Sequence, residues 1–185
     1  NMNLNLKEIS KKYSEKLINI KVALFDVDGI LTNGLISWDG EHVGFNRTTH
    51  AQDGFGLKLI MESGIKVGII SGGNSLGVKK RFEENLGLDF IFLGNEDKRA
   101  AYLEVLKMGF KDHEILYMGD ELFDIPLLKR AGFSATVPNA SLEVREIVDY
   151  ITTRPSGKAC AREVIDILRY AKGISPKILD FDDLK

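Results

Sequence analysis

The sequence predicts an α/β fold, a parallel β-sheet with helices on both faces and a small β-hairpin flap. Three observations carry this. Short apolar runs alternate along the chain with segments of helical spacing, as strands joined by crossover helices do. The first run, Val22-Ala23-Leu24-Phe25, is apolar throughout rather than alternating, which suits a strand buried on both sides. It ends abruptly in two carboxylates, Asp26 and Asp28, at the strand end where open α/β sheets place their chemistry.

The elements follow in order. An N-terminal helical extension, residues 1–20, carries Leu6, Ile9, Tyr13 and Leu17 at helical spacing. Strands are predicted at Val22–Phe25, Lys66–Ile70, Asp89–Leu93, Glu114–Met118 and Ser134–Val137, and helices at Gly56–Glu62, Asn74–Asn85, Asp97–Met108, Phe123–Arg130 and Leu142–Val148. One interval breaks the alternation: Leu35 to Trp38, then Asp39-Gly40, then His42 to Asn46 reads as a hairpin with Asp-Gly at its tight turn. The main domain spans 21–172, and a tail with Pro176 and several acids occupies 173–185. Asn1 ahead of Met2 reads as a remnant of expression.

Composition narrows the function. A chain of 185 residues, 44% hydrophobic and 28% charged, supports one well-buried core. A net charge of -2 and an isoelectric point near 6.0 leave no electrostatic footprint for nucleic acid or an anionic membrane, so the expected ligand is small. No apolar stretch approaches the roughly 20 residues that span a bilayer, and no secretory segment is evident, so the expected location is cytoplasmic. The lone Cys160 reads as a small packed residue and fits a reducing compartment. There is no GxxxxGK, Gly54-Phe55-Gly56 is too short for a dinucleotide fingerprint, and His42, His50 and His113 are too scattered for zinc.

Four sites carry candidate chemistry. Asp26 and Asp28, followed by Gly29 and Thr32, either close an Asx turn or form a reactive acid pair. Ser71-Gly72-Gly73-Asn74 places a hydroxyl and bare amides at a strand end before a helix, an anion-binding arrangement that also serves as a helix cap. Lys98 opens a helix against the helix dipole, so a phosphoryl group or carboxylate should lie near it; by location alone it reads as a solvated surface charge. Gly119-Asp120-Glu121-Leu122-Phe123-Asp124 again runs an apolar strand into acids, either as magnesium-type ligands or as a helix start dressed with acids ahead of Pro126.

Taken in order, DVDG with Thr32, Ser71, Lys98 and GDELFD resemble the four motifs of the haloacid dehalogenase superfamily of phosphohydrolases, over about residues 20 to 130. DGILTNG, HAQDGFGLKLI, YMGDELFDIPLL and TTRPSGKACARE narrow the resemblance to the 3-deoxy-D-manno-octulosonate 8-phosphate phosphatases and their relatives acting on nine-carbon keto sugar acids. That resemblance implies a Rossmann-like fold without a separate cap domain, a homotetramer, a Mg²⁺ cofactor and a place in lipopolysaccharide biosynthesis. Asp26 would attack phosphorus and form an aspartyl phosphate, and Asp28 would serve as general acid and then base. Mg²⁺ would be held by Asp26, the main-chain carbonyl of Asp28, and Asp120, with Glu121 and Asp124 positioning water or the loop. Ser71, Gly72 and Lys98 would bind phosphoryl oxygens. Thr32, His50, Gln52, Asp53 and Gly54 would line the substrate site with Lys58 and Arg81.

The chain departs from that family at particular positions. Gly73 stands where an arginine is usual, Gln52 where one is frequent, Glu121 where a second aspartate is common, and Ser156-Gly157-Lys158-Ala159 is poorer in glycine. These changes spare the phosphoryl chemistry and touch the sugar end, where Lys158 and Arg162 would supply part of the missing charge. The expected substrate is the octulosonate 8-phosphate. The alternatives are a deoxynononate or sialic acid 9-phosphate, or a non-catalytic module that binds sugar phosphate or drives oligomerisation. A phosphomutase is disfavoured because Leu31 to Asp53 is too short for a folded cap.

Overall fold

A computed structural model describes residues 4–185; the reading of Asn1 as a remnant lies outside the described residues. The chain enters through α1 (Leu6–Lys12) and α2 (Ser14–Leu17), a helical stretch broken at Tyr13. The break turns Tyr13 inward: its hydroxyl donates to the Asp149 carbonyl at 2.8 Å and its ring meets Phe133 edge-on.

Six strands form one parallel sheet: β1 (Val22–Phe25), β4 (Lys66–Ser71), β5 (Phe90–Leu93), β6 (Ile115–Met118), β7 (Phe133–Thr136) and β8 (Tyr150–Ile151), in the order β5-β4-β1-β6-β7-β8. Every residue of β1, β6 and β7 is buried. Because successive side chains point to opposite faces, both faces must be covered. The cover comes from α3 (Ala51–Glu62), α4 (Leu76–Val78), α5 (Arg99–Lys107), α6 (Ile125–Arg130), α7 (Leu142–Arg145) and α8 (Cys160–Lys172). From β1 the chain builds outward through β4 and β5, then returns to β6 on the other side of β1. That reversal opens a crevice between the carboxyl ends of β1 and β6, where such sheets bind their ligands.

The element β8 and the helix α8 are absent from the elements read in the sequence. Ala161, Val164, Ile165 and Leu168 of α8 fall at helical spacing and are buried. They pack the helix against α1 and α3. The helix expected over Asn74–Asn85 begins at Leu76, where the Ser75 hydroxyl accepts from the Val78 amide, and widens after Val78 into larger turns through Asn85. The helix expected at Leu142–Val148 stops at Arg145.

The flap is a hairpin of β2 (Ser37–Trp38) and β3 (Phe45–Asn46), with Trp38 opposite Phe45. Asp39-Gly40 does not make a two-residue turn. The loop runs on to Gly44, because the Gly40 carbonyl accepts from the Val43 and Gly44 amides and folds the tip into a turn of its own. Leu35, Ile36, Trp38 and Phe45 remain exposed on it. No helix among the described residues is long and apolar enough to cross a membrane.

Candidate active site

Asp26 continues β1: its amide donates to Met118 of β6, and its Oδ1 accepts from Val27. Asp120 leaves the end of β6 beside it, and Asp124 returns from the next turn. One oxygen from each of the three lies within 4.8 Å of the others. Lys98 faces this group from the start of α5, with Nζ 2.8 Å from Asp26 Oδ1 and 2.7 Å from Asp124 Oδ1. Its side chain points inward, held there by the two carboxylates, while Asp97 beside it accepts from the Arg99 amide. Far from being a solvated surface charge, Lys98 is 1% exposed.

Asp124 is fully hydrogen-bonded. Its Oδ1 accepts from Lys98 and the Tyr117 hydroxyl, and its Oδ2 accepts from the Asp120 and Glu121 amides at 3.0 and 3.1 Å. It therefore ties the lysine to the loop that carries Asp120. By contrast, Asp26 Oδ2 and Asp120 Oδ1 are buried without any partner. Glu121 accepts from Leu122 and Ser141 instead and stays outside the acid group.

The electrostatics follow from crowding. Burial pushes the Asp26 carboxyl well above its ordinary range, the Asp124 charge adds to this, and Lys98 opposes it. Burial lifts Asp120 to about 6. For Lys98, burial favours the neutral amine, but Asp26 and Asp124 outweigh it and hold the ammonium. Three carboxylates against one ammonium leave excess negative charge and two orphaned oxygens, which is the donor set of a hard divalent cation.

Of the other residues named from the sequence, Ser71 and Lys98 border a cavity of about 350 Å³ along β5 and α5 that Asp26, Asp120 and Asp124 do not line, and Ser71 Oγ accepts from the Gly73 amide. Gly72 packs on Glu96. Thr32 is buried, its hydroxyl accepting from Gly34 and Gly29, so it closes the loop after Asp28. The Asp28 carboxylate is not in the acid group. It faces Arg47, whose Nε and Nη2 grip its two oxygens at 2.7 and 3.0 Å.

The sugar-end residues gather at the start of α3. His50 caps the helix through Nδ1, and the Arg81 guanidinium rests on Gly54. Asp53 accepts from the Arg162 amide with one oxygen and leaves the other buried and unpartnered, and burial raises its carboxyl to about 6. Arg154 and Arg162 both reach Gln52, at 3.4 and 3.2 Å, so cations stand around that position. Lys58 is exposed on the same helix.

Arg47, Arg154 and Tyr117 escaped the sequence reading. Arg154 and Tyr117 had a signal, lying inside the TTRPSGKACARE and YMGDELFDIPLL segments, whereas Arg47 had none. The first of these segments also supports the loop after Asp26: Ser156 donates to the Gly29 carbonyl, and the Gly157 amide and Cys160 thiol donate to Ile30.

Buried carboxylates at the ends of β1 and β6 beside a buried lysine suit hydrolysis of phosphoric monoesters, and known phosphatases of this kind resemble the chain in sequence and in fold. A family model for haloacid dehalogenase-like hydrolases matches residues 90–163. The chain is 34% identical to the 3-deoxy-D-manno-octulosonate 8-phosphate phosphatase KdsC of Haemophilus influenzae, over 87% of this chain and 89% of that one. Among solved structures, a subfamily IIIA hydrolase of the same superfamily from Legionella pneumophila superimposes with a TM-score of 0.83 at 39% identity, covering 90% of this chain and 91% of that one. The Moraxella catarrhalis octulosonate phosphatase, in complex with magnesium, phosphate and KDO, superimposes with a TM-score of 0.82 at 34% identity, covering 88% and 93%. This chain belongs to that family of haloacid dehalogenase-like phosphatases.

Proposed function

We propose that the enzyme hydrolyses 3-deoxy-D-manno-octulosonate 8-phosphate through an aspartyl-phosphate intermediate. The observation that carries this reading is the meeting of Asp26, Asp120 and Lys98 at the crevice between β1 and β6, with carboxylate oxygens left unpartnered there. An Asp26 oxygen attacks phosphorus, and the bond from phosphorus to the sugar oxygen breaks. Asp28 donates the proton that the leaving oxygen needs. Water then attacks the same phosphorus, gives its proton to Asp28, and releases inorganic phosphate and free Asp26. Ser71, the Gly72 backbone and Lys98 hold the phosphoryl oxygens.

A Mg²⁺ held by Asp26, Asp120 and the main-chain carbonyl of Asp28 would supply the positive charge that keeps Asp26 ionised and offsets repulsion between nucleophile and ester. The magnesium in the Moraxella phosphatase supports that choice of ion. Thr32, His50, Gln52, Asp53, Gly54, Lys58 and Arg81 would shape the sugar end. The exposed apolar face of the flap, Leu35, Ile36, Trp38 and Phe45, supports a homotetramer in which neighbouring subunits cover it. A buried unpaired Cys160 supports a cytoplasmic setting.

Nine-carbon keto acid 9-phosphates remain the second reading, favoured by Gln52 in a place that often carries arginine. The test is phosphate release with and without Mg²⁺ from the octulosonate 8-phosphate, nine-carbon keto acid 9-phosphates, hexose phosphates and an aryl phosphate. Magnesium-dependent turnover with the highest kcat/KM on the eight-carbon acid is expected. A preference for a nine-carbon acid moves the substrate, equal rates on hexose phosphates remove carboxylate recognition, and no turnover on any ester leaves a binding or oligomerisation module.

A further inference from the structure

We propose that Arg47, carried by the flap, is a substrate-binding residue that holds a pair of anionic oxygens of the incoming phosphate ester. The inference rests on the phosphatase reading above and names a residue of that same site. Arg47 follows β3 directly, yet its side chain is only 6% exposed. Its Nε and Nη2 fork onto Asp28, and its Nη1 donates to the Phe45 carbonyl at 2.8 Å. A guanidinium has five N–H donors in fixed geometry, so two stay free of any partner among the described residues.

The seat for this side chain is made by glycine. A Cβ built on Gly73 would fall on the guanidinium, with Cζ 3.1 Å away and Nη2 closer, and all three nearest atoms belong to Arg47. Four residues on, Gly77 leaves room in the same way for the Asn46 side chain. The flap is thus docked onto the loop after β4 and the start of α4 through two adjacent residues, and that docking sets a cation between Asp28 and Gly73. Gly73 itself donates to the Ser71 hydroxyl at 3.2 Å.

A forked guanidinium that already grips a two-oxygen anion is shaped for a phosphoryl group or a carboxylate. The Asp28 carboxylate stands where such an anion would bind. When an ester enters, its oxygens take over the fork and Asp28 is released to face the leaving oxygen. A flap that would otherwise be only an edge of the site thereby contributes a contact to substrate.

The test compares wild type with Arg47→Ala, Arg47→Lys and the double variant Arg47→Ala/Gly73→Arg, which returns a guanidinium to the vacated space from the opposite backbone. KM and kcat are measured on an aryl phosphate and on a keto sugar acid phosphate, and inorganic phosphate is titrated calorimetrically in the presence of Mg²⁺. Arg47→Ala should raise KM about tenfold or more, as loss of a charge-assisted pair of bonds does, with a smaller fall in kcat. Arg47→Lys should recover part of the loss and the double variant most of it. Weaker binding of both inorganic phosphate and aryl phosphate assigns the fork to the phosphoryl group. A rise in KM confined to the keto acid ester assigns it to the carboxylate. Unchanged KM values and an unchanged phosphate affinity in Arg47→Ala overturn the proposal. Absence of turnover by wild type would overturn the phosphatase reading alone, since the phosphate titration still reads Arg47; a wild type that neither hydrolyses an ester nor binds phosphate overturns both.

Discussion

Gly29 and Asp120 are packed so closely that a Cβ on residue 29 would stand 2.6 Å from the Asp120 carboxyl carbon and closer still to Oδ2. Gly29 also adopts φ +85°, a left-handed conformation that costs a side-chain-bearing residue about 1–3 kcal/mol. One glycine therefore lets the loop after Asp26 turn and lets the acid from β6 reach it. Gly29→Ala should lower stability by about that amount and displace Asp120. The expected outcome is loss of magnesium-dependent turnover in a protein that still folds, read from thermal melts and phosphate release.

Lys98 is the sole cation paired with Asp26 and Asp124 among the described residues. Lys98→Met should destabilise the metal-free protein by about 3–5 kcal/mol, the scale of removing one partner from a buried ion pair. Added Mg²⁺ should return part of that stability by replacing the lost charge. Chemical denaturation with and without the ion measures both effects, and a variant as stable as wild type would show that the pair is not a structural need.

Asp26→Asn should abolish turnover, because an amide cannot form the acyl phosphate, while leaving the sheet intact. The same change removes a carboxylate from a crowded acid group, so the metal-free melting temperature should hold or rise. Substantial residual activity would move the nucleophile elsewhere.

The pH dependence of the metal-free protein has a definite sign. Asp53 and Asp120 are both raised from 3.8 to about 6, chiefly by burial, so the folded state binds more protons than the unfolded state between those values. Stability should be fullest below about pH 4 with respect to these groups, and should fall as pH rises through about 6, by about 3 kcal/mol for Asp53 alone. Magnesium affinity should run the other way, weakening below about pH 6 as protons compete for Asp120. Melting temperatures at pH 5 and pH 8, with chelator and then with Mg²⁺, check both slopes.

Ala159 holds φ +64° ahead of α8, the only non-glycine residue in the left-handed region among the described residues. Ala159→Gly should relieve about 1 kcal/mol of backbone cost and raise the melting temperature. The catalytic rate should stay within a factor of about two if the segment only supports the Asp26 loop. A lower melting temperature would show that the buried methyl outweighs the strain.

Much of the site is legible because its acids adjoin the strands that carry them. Asp26 follows Val22–Phe25 and Asp120 follows Ile115–Met118 within two residues, so an apolar run and the charge that ends it fall in one short window. The alternation of such runs with helical spacing likewise specifies a parallel, doubly covered sheet. The missing strand β8 is two residues long and offers too short a pattern to read.

What the sequence determined by itself is the local chemistry: which residues end which strands, and which of them carry acids, a hydroxyl or a lysine. The phosphate ester as substrate class came with the resemblance of the four motifs taken together. Tertiary structure alone decided the pairings between distant positions. Asp124 meets Lys98 from 26 residues away, and the Ser156 hydroxyl meets the Gly29 carbonyl from 127. Arg47 settles over Gly73 because a residue without a Cβ leaves room for the guanidinium, and neither a flap arginine nor a loop glycine reveals that partner in the sequence. The same holds for Lys98, whose burial depends on carboxylates from β1 and from the turn after β6 arriving on the same side of α5. Local windows encode propensity and charge, whereas the free energy of a buried ion pair depends on which groups are desolvated together, and that is settled only when the strands are ordered in the sheet.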